Sequence, residues 1–304
     1  MKLCTTTGDF SAFCSDRFDQ LRYIREAGFL YVDLSLYNLE KDADLLFAPD
    51  YQKKVLALRE EAERLGLTFL QAHSPGGNPI APELKERLTE ATVRSIEICS
   101  LLDIPNIVVH SGASYDLTEA EPYFAAHRPF YDRLIPVMEK TGVSVLAENT
   151  THRNIGNYFF PVTGKDLYDF CEYIDHPLFH ACWDTGHANC EGVQYDHIMT
   201  IGHHLRAVHI NDNRGGADEH LVPFFGTVNM DDVMCALIDV GFSGPFTFES
   251  SSNLRPSRYW LGNRHPFARE SRLVEPTLEM QRDIERLLYH VGKHILSAYG
   301  CFEN

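Results

Sequence analysis

Acids and histidines recur at the ends of short apolar runs in this chain of 304 residues. The segment 179–187 (FHACWDTGH) closes on Asp184, Gly186 allows a sharp turn, and His187 follows. Comparable runs stop at His73, His110, Glu148 and Glu249, and one run carries His209 inside it. Carboxylates and imidazoles delivered to one rim can hold a divalent cation or pass protons to and from carbon. Taken alone, DTGH suits equally an Asp that opens a turn and a His that caps the next helix. The chemical reading gains weight because several strands end in the same way.

The elements that must deliver these residues alternate. Strands are expected at 3–6, 31–34, 68–70, 106–109, 143–147, before Asp184, at 206–210 and at 245–248. Helices are expected at about 16–27, 50–65, 82–102, 119–140, 163–174 and 230–240, with Gly28, Gly66 and Gly241 as stops, and a last helix from about 277. From Asp33 the strand-end residues follow at intervals of 40, 37, 38, 36, 25 and 40 residues. Parallel neighbours need a crossover of about a dozen residues or more, so this repeat predicts an α/β fold, a (β/α)8 TIM barrel. An open doubly wound sheet is the alternative, but a glycine-rich phosphate loop after an early strand is missing. The whole of 1–304 reads as one TIM-barrel domain with an extra C-terminal loop (251–276) and helix (277–304).

Bulk properties narrow the partners. Against 43 Asp and Glu stand 27 Lys and Arg, a formal charge of −16, which repels nucleic acid and anionic membrane surfaces. Eight scattered cysteines without a CxxC pair point to a reducing compartment, and no apolar run approaches ~18 residues. The expectation is a cytoplasmic protein that acts on a small molecule and spans no membrane.

In such a barrel Glu148, Asp184, His209 and Glu249, on four consecutive strands, would converge. Three carboxylates in a water-poor cavity need compensation, because an unpaired buried charge costs several kcal/mol. A divalent cation supplies it: Mn²⁺, Mg²⁺ or Co²⁺ for this oxygen-rich set, Zn²⁺ if more histidines join.

The segments VSVLAENT, CWDTGHAN, LRAVHINDN, DEHLVPFFGTVN and GFSGPFTFES together resemble the xylose-isomerase-like TIM-barrel superfamily of sugar-phosphate isomerases and epimerases, in matching order and over nearly the whole chain to about Ser250. The resemblance implies one metal ion, Mn²⁺ first, on Glu148, Asp184, His209 and Glu249. It also implies Glu148 and Glu249 as acid and base, and His187 and Arg214 on the oxygens of a keto sugar, keto-inositol or sugar phosphate, with His73 and His110 further substrate contacts. Two carboxylates on opposite faces of a carbon next to a ketone would epimerise it, and one base shuttling the proton would isomerise it.

Apurinic-site endonucleases of the same superfamily use nine ligands for three zinc ions, and this chain has a residue for each, Asp218 and His220 included as additional metal ligands. The charge of −16 favours the sugar reading. A keto-inositol lyase and a barrel that binds without turnover are further alternatives. Residue by residue, His73 and His110 also suit locally satisfied strand ends, and Asp33 a substrate hydroxyl or a helix cap. His203, His204 and His294 read as surface residues and Cys182 as core. The loop 251–276 is rich in arginine and aromatic residues on an acidic chain, which predicts a contact in a homo-oligomer, with a lid or a site for a substrate phosphate as the alternatives.

Overall fold

The computed structural model describes residues 1–113, 116–192, 194–254 and 274–303. Eight parallel strands pair in chain order and close on themselves: β1 (Leu3–Thr6), β2 (Tyr31–Ser35), β3 (Thr68–His73), β4 (Asn106–Val109), β5 (Ser144–Glu148), β6 (Phe179–Asp184), β7 (Leu205–Ile210) and β8 (Phe246–Phe248). Closure is the pairing of β1 with β8, with Leu3 opposite Phe246 and Thr5 opposite Phe248. The helices are α1 (Arg17–Ala27), α2 (Ala43–Leu46), α3 (Tyr51–Leu65), α4 (Lys85–Leu101), α5 (Ala120–Thr141), α6 (His152–Ile155), α7 (Gly164–Ile174), α8 (Thr185–Asn189), α9 (Tyr195–Ile201), α10 (Met230–Asp239) and α11 (Leu278–Ala298). This is the expected (β/α)8 TIM barrel with a C-terminal helix, and among the described residues no helix is long and apolar enough to cross a membrane.

Local chemistry sets the helix ends. Asp16 caps α1 by accepting from the backbone N–H groups of Phe18 and Asp19, and Gly28 ends it at φ 118. Thr163 and Asp166 cap the start of α7 reciprocally. Expected and observed bounds agree to within about a turn; the largest difference is α4, where 81–84 form a turn before the helix proper.

α11 buries Gln281, Glu285, Leu288, Gly292, Ile295 and Leu296, with Ile284, Leu287, Val291 and Tyr299 half-buried against the core. A Cβ at Gly292 would stand 2.4 Å from Leu3 and 2.7 Å from Phe248, so the helix packs close against the barrel there. Two expectations are corrected. His204 is buried rather than on the surface. Asp33 lies within β2 with 2% of its surface exposed and caps no helix. Of the arginine and aromatic loop, 255–273 lie outside the described residues, and with them the expected subunit contact.

Candidate active site

A small apolar floor places the site. Val108, Leu146, Cys182 and Ala207 are fully buried and form a cluster of their own, apart from the main core between strands and helices. Each stands two positions before His110, Glu148, Asp184 and His209. Residues i and i+2 of a strand share a face, so the residues that close the barrel interior also aim those four at its C-terminal mouth.

Glu148 is the centre of the arrangement. One carboxylate oxygen lies 2.6 Å from His110 Nε2, and the other accepts a short hydrogen bond from His209 Nδ1. Glu249 approaches the same His209 nitrogen at 3.3 Å. Burial would lift the Glu148 carboxyl, but the His209 and His110 imidazoles hold it well below the usual carboxylate range. His73 donates Nδ1–H to the Ser74 carbonyl at 2.8 Å, which leaves its buried Nε2 without a partner, 3.9 Å from Glu148. Burial, then His110, press the His73 imidazole down to about 4 and keep it neutral at pH 7.

Asp184 is held on every side. Its Oδ1 accepts the His187 backbone N–H at 2.6 Å, its Oδ2 accepts Asn211 Nδ2 at 2.7 Å, and Asn149 brackets its peptide. The turn after it needs Gly186, because a Cβ would stand 1.8 Å from Asn211 Oδ1. Burial pushes the Asp184 carboxyl up to about 6 against the pull of His187. His187 donates Nδ1–H to the Asn149 carbonyl at 3.0 Å and meets Asp218 at 3.2 Å. Burial would lower its pKa, but Asp184 and Asp218 raise it to about 10, so the ring is a cation. His220 donates to the Glu249 carbonyl at 2.8 Å and shares Asp218 at 3.1 Å.

The barrel therefore brings together nearly every residue singled out in the sequence. Among the described residues, the groups here whose ligand atoms lie within 4.8 Å of one another are Glu148, Asp184, His209 and Glu249; His73, His110 and Glu148; His187, Asp218 and His220; and Glu148, His209 and the buried Cys182. They flank a cavity of about 660 Å³, within the size range of small-molecule sites, lined by Glu148, Glu249, His110, His187, Asp218 and His220 among others. Arg214 is not brought in. Its side chain is 65% exposed, pairs with Glu219 at 2.7 Å, and does not line the cavity. The Asp33 carboxyl lies outside the cavity lining too, and burial lifts it to about 6.

Residues that sequence reasoning passed over do the positioning. Gln71 Nε2 lies 2.9 Å from His209 Nε2, and Asn149 and Asn211 frame Asp184. Gln71 carried a signal, being a polar residue two positions before His73 on an otherwise apolar inward face; the asparagines, one residue past Glu148 and two past His209, carried little. The donor set fits a divalent cation, since three carboxylates and an imidazole from four neighbouring strands offer one ligand atom each, and the orphaned His73 Nε2 faces the same carboxylate.

A family model described as xylose isomerase-like TIM barrel matches residues 21–272. An uncharacterised protein of Methanocaldococcus jannaschii is 25% identical over 215 residues, 67% of this chain and 71% of that protein. Among solved structures, D-psicose 3-epimerase from Clostridium cellulolyticum H10 in complex with D-tagatose superposes at TM-score 0.72 with 17% identity, over 97% of this chain and 99% of that one. A D-tagatose 3-epimerase-like protein does so at TM-score 0.71 with 18% identity, over 99% and 100%. At these identities the structural likeness is one of fold.

Proposed function

The chain belongs to the xylose isomerase-like TIM-barrel family, and from that premise we propose that it is a metal-dependent sugar epimerase or isomerase acting next to a keto group. The observation that carries the reading is the pair Glu148 and Glu249, two carboxylates that approach one His209 nitrogen at the cavity wall. The solved epimerases named above act on ketoses, and a small polar substrate suits the cavity and the charge of −16.

Glu148, Asp184, His209 and Glu249 would hold the metal, with Mn²⁺ the first choice for an oxygen-rich set and Co²⁺, Mg²⁺ or Zn²⁺ the alternatives. When bound, a divalent ion supplies positive charge that lowers the cost of forming an enediolate. The protein's own groups do the rest. Glu148 stays ionised beside His209 and His110, so it can take a proton from the carbon next to the ketone, while Glu249 can return one to the opposite face. Cationic His187, fixed by Asn149 and Asp218, puts positive charge on the cavity wall, where it can attract a substrate oxygen. Asp184, tied down by Asn211 and the His187 backbone, keeps the wall rigid.

The test is a screen of ketoses, keto-inositols, sugar phosphates and keto-glycosides in D₂O by proton NMR with Mn²⁺ present. Deuterium entering one carbon reports the substrate and the proton transfer together, and no exchange with any of these compounds counts against the reading.

A second reading rests on a specific observation: nine acids and histidines fall into more than one ligand group. A multi-zinc phosphodiesterase acting on abasic DNA would need several such groups. Three tightly held zinc ions, with cleavage of an abasic-site oligonucleotide, would favour it over proton transfer.

A further inference from the structure

At the end of the barrel opposite the cavity, side chains from three elements gather with no part in the chemistry above. Glu172 lies in the last turn of α7, His203 and His204 form the 3-10 turn Gly202–His204 that leads into β7, and His180 is the second residue of β6. Glu172, His203 and His204 each place a ligand atom within 4.8 Å of the other two. Glu172 Oε1 is 2.9 Å from His204 Nε2, and the two adjacent imidazoles lie with ring centroids 4.1 Å apart.

His204 is only 8% exposed, and its Nε2 is the nitrogen turned to Glu172, so two of the three donors already face each other. His180 packs beside it with ring centroids 5.9 Å apart, and the buried Nδ1 of His180 has no hydrogen-bond partner. A buried polar atom left unpaired costs about 1–3 kcal/mol, which a ligand at this place would relieve.

We propose that Glu172, His203 and His204, with His180 beside them, form a second divalent-cation site that binds zinc or a similar borderline ion and pins α7 to the start of β7. The donors decide the class. Imidazole nitrogens with a single carboxylate suit Zn²⁺, Ni²⁺ or Cu²⁺, whereas the carboxylate-rich set in the cavity suits harder ions. Zinc bonds of about 2.0–2.1 Å put tetrahedral ligands about 3.3 Å apart. The set must therefore close slightly, a movement open to the exposed side chains of Glu172 and His203. Because residues at this face of a TIM barrel serve stability, occupancy registers in the melting temperature and leaves turnover alone.

Chelator-stripped protein titrated with Zn²⁺ by calorimetry, and with Co²⁺ followed by visible absorption, tests the site. The unaltered chain should take up one equivalent more than His203→Ala or Glu172→Ala, with micromolar or tighter affinity. Zinc should also raise its Tm more than it raises theirs. Both substitutions fall on exposed side chains, and thermal melts of the metal-free variants check that they fold. Equal stoichiometry and equal Tm shifts in all three proteins overturn the proposal, as does an extra equivalent that appears only at millimolar zinc, an adventitious ion only.

Discussion

The side-chain amide of Gln71 meets the imidazole of His209 across the barrel, Nε2 to Nε2 at 2.9 Å, between residues 138 positions apart. Thr247 Oγ1 donates to the other end of the same amide at 3.4 Å, so the contact is braced. With Thr247 on the amide oxygen, Gln71 Nε2 donates to His209 Nε2, which leaves the ring proton on Nδ1, the nitrogen that donates to Glu148, so the amide fixes the tautomer of the ring. Gln71→Leu is therefore expected to weaken binding of a divalent ion by about 10–100-fold, the usual effect of removing a partner of a ligand histidine. Competition against a chromophoric chelator measures it, and unchanged affinity would assign Gln71 to packing alone.

Glu148→Gln and Glu249→Gln each keep the shape of the side chain and remove the base. Each should slow exchange of the substrate's α-proton with D₂O by at least ~10², the typical contribution of general-base help. Loss from one variant with full exchange in the other would indicate a single base, and so isomerisation rather than epimerisation.

Gly186→Ala drives a methyl group to 1.8 Å from Asn211 Oδ1, the side chain that donates to Asp184. Either the turn or Asn211 must move. A loss of about 1–3 kcal/mol in urea unfolding is expected, the range for overpacked sites, together with weaker metal binding because Asp184 loses a fixing hydrogen bond. Unfolding that matches the unaltered protein would mean that Asn211 yields freely.

Glu285 is fully buried on α11, accepts from Thr5 Oγ1 at 2.6 Å, and has a second oxygen without a partner. Burial raises its pKa from 4.5 to about 7. Between those values the folded chain keeps a proton that the unfolded chain releases, so the folded form binds more protons and stability falls as pH rises through the window. The loss is complete above pH 7 and amounts to about 3 kcal/mol at 1.36 kcal/mol per unit. Glu285→Gln cannot ionise, so its stability relative to the unaltered protein should grow by that amount between pH 4.5 and 8. Denaturation series at both ends of the window measure it, and parallel pH curves would exclude the effect.

Much of this protein was legible in its residues alone. The alternation of apolar runs with glycine-stopped helices determined the barrel, because parallel strands joined by crossovers of such regular length close in chain order. The acids and histidines at the ends of those runs pointed to a common rim, since every strand of a parallel barrel delivers its C-terminal end to the same side; Glu148, Asp184, His209 and Glu249 lie there with ligand atoms within 4.8 Å of one another. Period two tells which face a strand residue takes, but neither its height in the barrel nor its neighbour on the far side. Only the closed sheet could thus set Gln71 against His209, sink Asp33 below the cavity, and bring Gly292 of α11 against Leu3 and Phe248. Loop geometry decided the rest: Glu219 draws Arg214 out to the surface, while Asp218, one position earlier, joins His187 to His220 at the cavity wall, a division made by the path of the backbone between them.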